Sequence, residues 1–144
     1  MESATVTFDL IPTNQPLQVQ VRFDGNVVLD EEISRQTPVY FDFNDDDVGE
    51  HCLEIELLNK THNHTVLNSD GKIVNDSSIV IENIALDDIP LGYIATQTAT
   101  YTHNNNDSSE PVVDPFYSEI GCNGVVQLKF TSPVYLWLLE KNKY

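Results

Sequence analysis

The chain has 144 residues, enough for one domain built around a single hydrophobic core. Its 23 acidic and 7 basic residues give a formal net charge of -16, which argues against nucleic acid and anionic membranes as partners, because Lys and Arg are what bind phosphate groups. No run approaches the roughly 18 to 20 apolar residues that a membrane span needs.

The first half of the chain predicts a series of β-strands in which apolar and polar residues alternate. Side chains in a strand point to opposite faces in turn, so this alternation is typical of strands that are buried on one face. The alternating segments are residues 4–10, 17–23, 39–43 and 53–57. Asp24 and Gly25 follow the second of them and predict a tight hairpin turn, with residues 26–29 as the returning strand.

Residues 49–89 predict two long strands joined by a polar connection. The strand at 79–86 is dense in β-branched residues, so we expect it to be buried on most of both faces. The polar side chains of the connection include Asn59, Asp70 and Asp76. We expect a small-ligand site, if the chain has one, to lie at this connection.

Three further strands are predicted in the second half, at residues 96–102, 125–130 and 134–139. The last is apolar on both faces, so we expect it to be central or covered, with Trp137 in the core. Residues 103–111 contain no apolar side chain and predict an exposed polar loop.

About nine short strands separated by Asp, Asn, Gly and Pro turns, without a helical apolar period, predict an all-β fold. We expect residues 1–144 to form a single-domain antiparallel β-sandwich. A jelly-roll-like arrangement is favoured over an immunoglobulin-like one, because the chain lacks the Cys–Trp–Cys spacing. Cys52 and Cys122 are expected to be free thiols, and a disulfide between them stays open as the alternative.

Calcium is the first cofactor to consider, because it is bound by several oxygen ligands from loops. An EF-hand loop starting at Asp42 fails, since Asp47 replaces the glycine at its sixth position and Leu53 replaces the glutamate at its twelfth. A calcium site on the loops of a β-sandwich has no such fixed spacing of its ligands. Its candidate ligands, on the loops around one strand pair, are Asn59, Asp70, Asp76, Asp87 and Asp88. Solvated turn residues are the alternative interpretation of the same set.

Aromatic side chains are the candidates for sugar binding, because a flat ring can stack on the apolar face of a pyranose. Tyr93 and Tyr101 flank the Thr-rich segment 96–102 and are the best placed, although Tyr also packs in cores. His62 and His64 would share one face of an extended segment, but two ligands are too few to indicate a metal site.

Sequence motifs for catalysis are missing. The chain has no G-x-S-x-G, no phosphate-binding glycine loop and no H-E-x-x-H. With 23 acidic residues, some pair of carboxylates will meet the spacing of a glycosidase by chance, so such a pair predicts nothing. We therefore expect a protein that is not an enzyme.

Four segments together resemble a known module: residues 49–55, 59–61, 70–76 and 79–89. They read G-x-H-x-L-x-I, N-K-T, D-G-x-I-x-x-D and I-x-I-x-x-I-x-L-D-D-I. This pattern resembles a sandwich module of tailed-bacteriophage virion proteins, which is similar to calcium-dependent carbohydrate-binding modules of the xylan-binding kind. The resemblance implies that Asn59, Asp70 and Asp76 lie at the loop end where those modules hold calcium or sugar.

The leading expectation is therefore a non-catalytic protein of a phage particle, either a capsid decoration or a tail or baseplate component. It would act through contacts with other virion proteins, in several symmetric copies. The start of the chain, MESA, lacks the features of a signal peptide, which fits a protein made in the host cytoplasm and built into a virion. The alternative is a calcium-dependent carbohydrate-binding module that binds polysaccharide through Tyr93 or Tyr101 and the connection at 59–76.

Overall fold

The computed structural model describes residues 3–45, 48–58, 65–67, 69–71, 73–103, 112–116, 118–121 and 123–141. For residues 65–67 and 73–76 it describes the backbone alone. Asn59, His62, His64 and Cys122 lie outside the described residues, as do 104–111 of the predicted loop.

Strands dominate the described part of the chain. The strands are β1 (Ser3–Pro12), β2 (Leu17–Phe23), β3 (Asn26–Ile33), β4 (Thr37–Asn44), β5 (Gly49–Leu57), β6 (Thr65–Leu67), β7 (Ile73–Asp76), β8 (Ile79–Leu86), β9 (Ile89–Pro90), β10 (Thr100–His103), β11 (Val112–Pro115), β12 (Glu119–Ile120) and β13 (Gly124–Ser132). Two short helices complete the described elements, α1 (Tyr93–Thr98) and α2 (Val134–Lys141). Neither helix is long and apolar enough to cross a membrane.

Two antiparallel sheets form the body of the protein. The five-stranded sheet has the order β12-β8-β1-β4, with β9 paired to β8, and the six-stranded sheet has the order β11-β10-β13-β5-β2-β3. β6 and β7 form a separate two-stranded ribbon. The chain passes repeatedly from one sheet to the other, as in a jelly roll. The predicted all-β antiparallel sandwich is confirmed.

The core lies between the two sheets and follows from the alternation in the sequence. β2 alternates buried and half-buried residues along its whole length, and β1 does the same over residues 4–11 and β5 over residues 53–57. The largest fully buried side chains include Phe8, Phe116 and Phe130. β1, β2 and β5 thus each present an apolar face to the opposite sheet, which buries apolar surface in the interior of the sandwich.

The hairpin between β2 and β3 has the predicted turn. Asp24 and Gly25 have φ values of 50° and 85°, so both central residues lie in the left-handed region. A two-residue turn of this kind matches the twist of the strands it joins and requires residues such as Asp and Gly that tolerate positive φ. The prediction of a hairpin at these two residues is confirmed.

The predicted strand at 134–139 is wrong, because these residues form α2. An apolar run of this length fits a buried strand or a buried helix equally well, so periodicity could not separate them. A distant residue stabilises the helix: the carboxylate of Asp45 accepts a hydrogen bond from the Val134 backbone N–H at 3.0 Å. Trp137 is buried, as expected, but on a helix.

Two other strand predictions are corrected in part. Residues 93–98 form α1, so only the end of the predicted strand at 96–102 is extended, in β10. β8 was expected to be buried on most of both faces, but Val80 is half-buried and Glu82 and Asn83 are exposed. β8 therefore has one solvent-facing side, and its polar residues are available to a ligand.

Candidate functional site

An open groove of about 450 Å³ lies between β8, α1 and the segment around residue 116. Its polar lining includes Glu82, Asn83, Thr96 and Ser118. Tyr93 stands at its edge with 84% of its surface exposed. We call this surface the Tyr93 groove.

A β-bulge places two polar side chains of β8 in the groove. Along the β1–β8 pairing, Thr7 is opposite Ala85 but Asp9 is opposite Glu82, so β8 has an extra residue at this point. Asn83 lies in this bulge and has a φ of 60°, in the left-handed region. A bulge re-aims the neighbouring side chains, and here Glu82 and Asn83 both face solvent although they are adjacent in the sequence.

The bulge is held to the neighbouring strand by a side-chain hydrogen bond. The amide nitrogen of Asn83 donates to the carboxylate of Asp9 on β1 at 2.9 Å. Asn is one of the few residues other than Gly that adopts a positive φ readily, so its identity suits the backbone here. Asn83 therefore has a fixed orientation at the groove.

Tyr93 begins α1, and the chain reaches it through a sharp turn at Gly92, which has a φ of 54°. The first turn of the helix is anchored because Ile94 and Ala95 are buried in the core. The hydroxyl of Thr96 donates to the carbonyl oxygen of Tyr93 at 3.0 Å. These contacts fix the backbone of Tyr93 and leave its ring in solvent.

The floor of the groove is apolar. Phe116 is completely buried, and Ile81 and Ile84 of β8 are buried beside it. The Ile81 backbone N–H donates to the carbonyl oxygen of Ser118 at 2.8 Å, which ties this segment to β8. An apolar floor, an exposed aromatic ring and a rim of amide, hydroxyl and carboxylate groups match the amphipathic surface of a sugar.

Tyr101, the second predicted sugar-stacking residue, lies in a different environment. It is only 8% exposed and its ring stacks on His103, with the ring centroids 4.5 Å apart. The imidazole of His103 is held in turn by the carboxylate of Asp114, with Nε2 and Oδ2 2.8 Å apart. Tyr101 thus packs in the core and offers almost no ring surface to a ligand.

Among the predicted calcium ligands, Asp87 and Asp88 lie too far from Asp76 to share one ion with it. Asp76 ends β7 just before β8, whereas Asp87 and Asp88 follow its other end. A strand of eight residues spans roughly 26 Å, so one ion cannot take ligands from both ends. Asp70 is exposed in the turn between β6 and β7. In the described ranges, no three His, Cys, Asp or Glu side chains are grouped as metal ligands would be.

Asp87 and Asp88 instead form the two-residue turn between β8 and β9. Their φ values of 50° and 65° make it a hairpin turn of the same kind as that at Asp24. The Asp87 backbone N–H donates to the carbonyl oxygen of Thr5 at 2.7 Å. The hydroxyl of Tyr135 on α2 donates to the Asp87 carboxylate at 3.3 Å.

A second cavity, of about 450 Å³, lies at the end of the sandwich near the β2–β3 hairpin. Its ionisable pair is His51 and Asp24, with Nδ1 and Oδ2 2.7 Å apart. The His51 ring packs among aromatic rings of the core, such as Phe23 at 5.3 Å. Cys52 is a free thiol whose pKa is raised by burial, so it is a poor nucleophile near neutral pH.

The outer face of the six-stranded sheet carries a third polar surface. Arg22 binds the carboxylates of Glu56 at 2.8 Å and Glu54 at 3.5 Å. Gln127 donates to Glu54 at 3.1 Å and Gln20 donates to Asp30 at 3.1 Å. These groups satisfy one another across neighbouring strands, so the surface resembles a cross-strand network that stabilises the sheet.

Sequence reasoning selected Tyr93 but missed Glu82 and Asn83. A signal for both was present in β8, whose sequence IVIENIAL has two adjacent polar residues inside an apolar strand. Two neighbouring polar residues break the period of two, and a bulge is the structure that accommodates such a break.

Comparison with known proteins gives a likeness of fold. No protein-family model and no curated protein matches the sequence. Among solved structures, the chain is similar to vCBM60, a carbohydrate-binding module in complex with galactobiose. The match has a TM-score of 0.50 and 13% sequence identity, and it covers 86% of this chain and 96% of that one. At this identity, the similarity shows a shared sandwich fold.

Proposed function

We propose that this protein is a non-catalytic carbohydrate-binding protein and that its sugar site is the Tyr93 groove. The observation that carries the proposal is the exposed ring of Tyr93 at the edge of a concave, partly apolar surface with Glu82 and Asn83 on its rim. The ring would stack on the apolar face of a sugar. The carboxylate of Glu82 and the amide oxygen of Asn83 would accept hydrogen bonds from the sugar hydroxyls, and the second N–H of the Asn83 amide would donate one.

The fold comparison supports this proposal and supplies a first ligand to test. The similar structure, vCBM60, contains galactobiose, a disaccharide of galactose. The resemblance of residues 49–89 points to xylan-binding modules. Galactobiose and xylan oligosaccharides are therefore the two probes whose affinities for the Tyr93 groove are to be compared.

The test is calorimetric titration of the full chain with each probe, followed by affinity electrophoresis in gels containing the corresponding polysaccharide. We expect Tyr93→Ala to weaken binding by about 30-fold or more, because removing an aromatic anchor from a binding site typically costs about 2 kcal/mol or more. Tyr135→Ala is the matched control, since Tyr135 is also an exposed tyrosine on a short helix but lies outside the groove.

Two results would contradict the proposal. One is the absence of binding to galactans, xylans and every other polysaccharide in a broad glycan array. The other is equal loss of binding in Tyr93→Ala and Tyr135→Ala, which would place the sugar elsewhere.

Calcium is a separate proposal, restricted to Asn59, Asp70 and Asp76. An ion bound at Asp76 would be roughly 20 Å along β8 from Asn83, too far to touch the same sugar ring. Binding in the Tyr93 groove should therefore be the same in EDTA as in calcium. An ion at 59–76 would instead raise the melting temperature, because ligand at ~100 times its dissociation constant stabilises a protein by ~2.7 kcal/mol.

A structural role in a tailed-phage particle is the second candidate function. It is supported by the resemblance of residues 49–89 and by the large apolar side chains that α2 exposes, which suit contacts with other proteins. As a virion protein it would occur in several symmetric copies as a capsid decoration or a tail or baseplate component. Mass spectrometry of purified particles tests this, and absence of the chain from them would contradict it.

A further inference from the structure

The first six residues of α2, Val134 to Leu139, are apolar on all sides of the helix, although one side of it is exposed. Its buried side consists of Val134, Trp137 and Leu138. The opposite side exposes Tyr135, Leu136 and Leu139, by 56%, 58% and 65%. These three residues are three or four positions apart or adjacent, so they form one continuous surface, which we call the α2 face. A helix that is apolar on all sides is normally covered on all sides.

The α2 face cannot turn inward, because the opposite side of the helix is fixed to the sandwich. Trp137 packs edge-on against Phe130 of β13, with the ring centroids 5.8 Å apart. The buried carboxylate of Asp45 caps the first turn. Lys141 is exposed, but its ammonium group lies 5.8 Å from the Trp137 ring, on the side of the helix that carries Trp137 and away from the α2 face.

Carboxylates border the α2 face. Asp87 accepts the hydrogen bond from Tyr135, and Asp88 follows it in the same turn. Asp42 of β4 pairs with Thr5 of β1, and the carbonyl oxygen of Thr5 accepts the hydrogen bond from the Asp87 backbone N–H at 2.7 Å, so Asp42 lies beside this turn. We call Asp42, Asp87 and Asp88 the acidic rim.

We propose that the α2 face and the acidic rim dock a protein segment that carries apolar side chains flanked by Lys or Arg. Apolar side chains would cover Leu136 and Leu139, and the cations would pair with the carboxylates. The charge pattern selects this occupant: a second copy would bring another acidic rim and a net charge of -16, and an anionic membrane would be repelled. This surface is separate from the Tyr93 groove, so the proposal is independent of sugar binding.

The test uses a synthetic amphipathic helix of Leu and Lys, labelled with a fluorophore and titrated with the full chain. We expect the double variant Leu136→Ser/Leu139→Ser and the variant Asp87→Asn/Asp88→Asn each to weaken binding by about 10-fold or more. Asn tolerates the positive φ of the turn, so the second variant should keep the fold. Glu31→Gln/Glu32→Gln on edge strand β3 is the charge-matched control and should change binding by less than about 2-fold.

Hydrogen exchange of the wild-type chain, with and without the peptide, gives an independent readout that requires no variant. Protection should appear in 134–141 and at the turn of residues 87 and 88. Protection confined to other elements would overturn the proposal even if the variants lost their fold.

Several results would overturn it. These are failure of the Leu-Lys peptide to bind, equal weakening in the Glu31 and Glu32 control, and equally tight binding of a peptide in which Glu replaces Lys. Sedimentation that shows a dimer in the wild type and a monomer in Leu136→Ser/Leu139→Ser would identify a second copy as the occupant instead. Binding to phosphatidylcholine vesicles that the same variant abolishes would identify a lipid surface. None of these results depends on Tyr93.

Discussion

The Tyr93 groove and the α2 face both expose tyrosine, but their surroundings differ. The groove is concave, with buried Phe116 beneath it and an amide, a carboxylate and hydroxyls around it. The α2 face is a helix surface with two leucines and a border of carboxylates. A concave surface with mixed polar groups suits a small polar ligand, whereas an apolar face with one sign of charge suits a protein of opposite charge.

The comparison shows that an exposed aromatic residue does not by itself indicate a ligand class. The chemical groups of the neighbouring residues determine the ligand class, and those residues come from distant parts of the sequence. Asn83 reaches the groove because of a bulge in β8, and Asp87 reaches Tyr135 because a turn closes against α2. Changes that affect one surface and leave the other intact are therefore the strongest tests.

The largest effect is expected from Phe116→Ala, which removes the floor of the groove. Phe116 is fully buried, and replacing a buried Phe with Ala typically costs 3–5 kcal/mol of unfolding free energy. Denaturant titration measures the loss, and sugar binding should fall with it. Peptide binding to the α2 face should persist under conditions where the variant is folded.

Val113→Ala is the control for Phe116→Ala, because Val113 lies on nearby β11 with its side chain exposed. It should change stability by about 0.5 kcal/mol or less. A similar loss of unfolding free energy in both variants would contradict the stabilising role assigned to the buried Phe116 ring.

Asp45→Ala should act on the other surface. Asp45 is buried and caps α2 through the Val134 N–H, and loss of such a cap typically costs 0.5–2 kcal/mol. The α2 face would lose its fixed position, so peptide binding should weaken while sugar binding is unchanged. Asp45→Asn retains an oxygen acceptor and should restore most of the stability. A thermal melt equal to the wild type for Asp45→Ala would contradict this account.

The strands were predictable because one face of each is buried and the other is not. β2 begins and ends at the predicted residues, and the hairpin at Asp24 and Gly25 follows from residues that tolerate positive φ. The α2 segment could not be assigned correctly, since all of its positions are apolar except the last two. Its cap comes from Asp45, which is 89 residues away in the sequence and invisible to a local pattern.

The candidate site was predictable only in part. Tyr93 and Tyr101 looked equivalent in the sequence, but they differ in burial. The ring of Tyr93 is in solvent, whereas the ring of Tyr101 is buried and stacks on His103. Asp76 precedes β8 and Asp87 follows it, so they lie at opposite ends of that strand. The predicted strand at 79–86 already implies this separation, because an extended strand rises by about 3.3 Å per residue.

A smaller effect is expected at Asn83, where two substitutions separate backbone strain from ligand contact. Asn83→Ala should be less stable than Asn83→Gly by about 1–2 kcal/mol, because Ala is penalised at a φ of 60° and Gly is not. Asn83→Gly should still bind sugar several-fold more weakly, since a lost hydrogen bond typically costs 0.5–1.5 kcal/mol. Chemical denaturation and calorimetry measure the two effects. Unchanged sugar affinity in Asn83→Gly would show that the Asn83 amide does not contact the sugar.

The smallest effect concerns the acidic rim and is spectroscopic. The charge of Asp42 and, less strongly, of Asp88 raises the pKa of Tyr40 above its ordinary value of 10.0 by disfavouring the phenolate. Stability from this shift is therefore present below pH 10 and is lost as the pH rises through the higher value in the folded protein. The difference in tyrosinate absorbance between wild type and Tyr40→Phe reports this pKa. Asp42→Asn should lower the pKa of Tyr40, whereas Asp30→Asn, on the other sheet, should leave it unchanged. Equal shifts in both variants would show that the net charge of the protein, and not the acidic rim, raises this pKa.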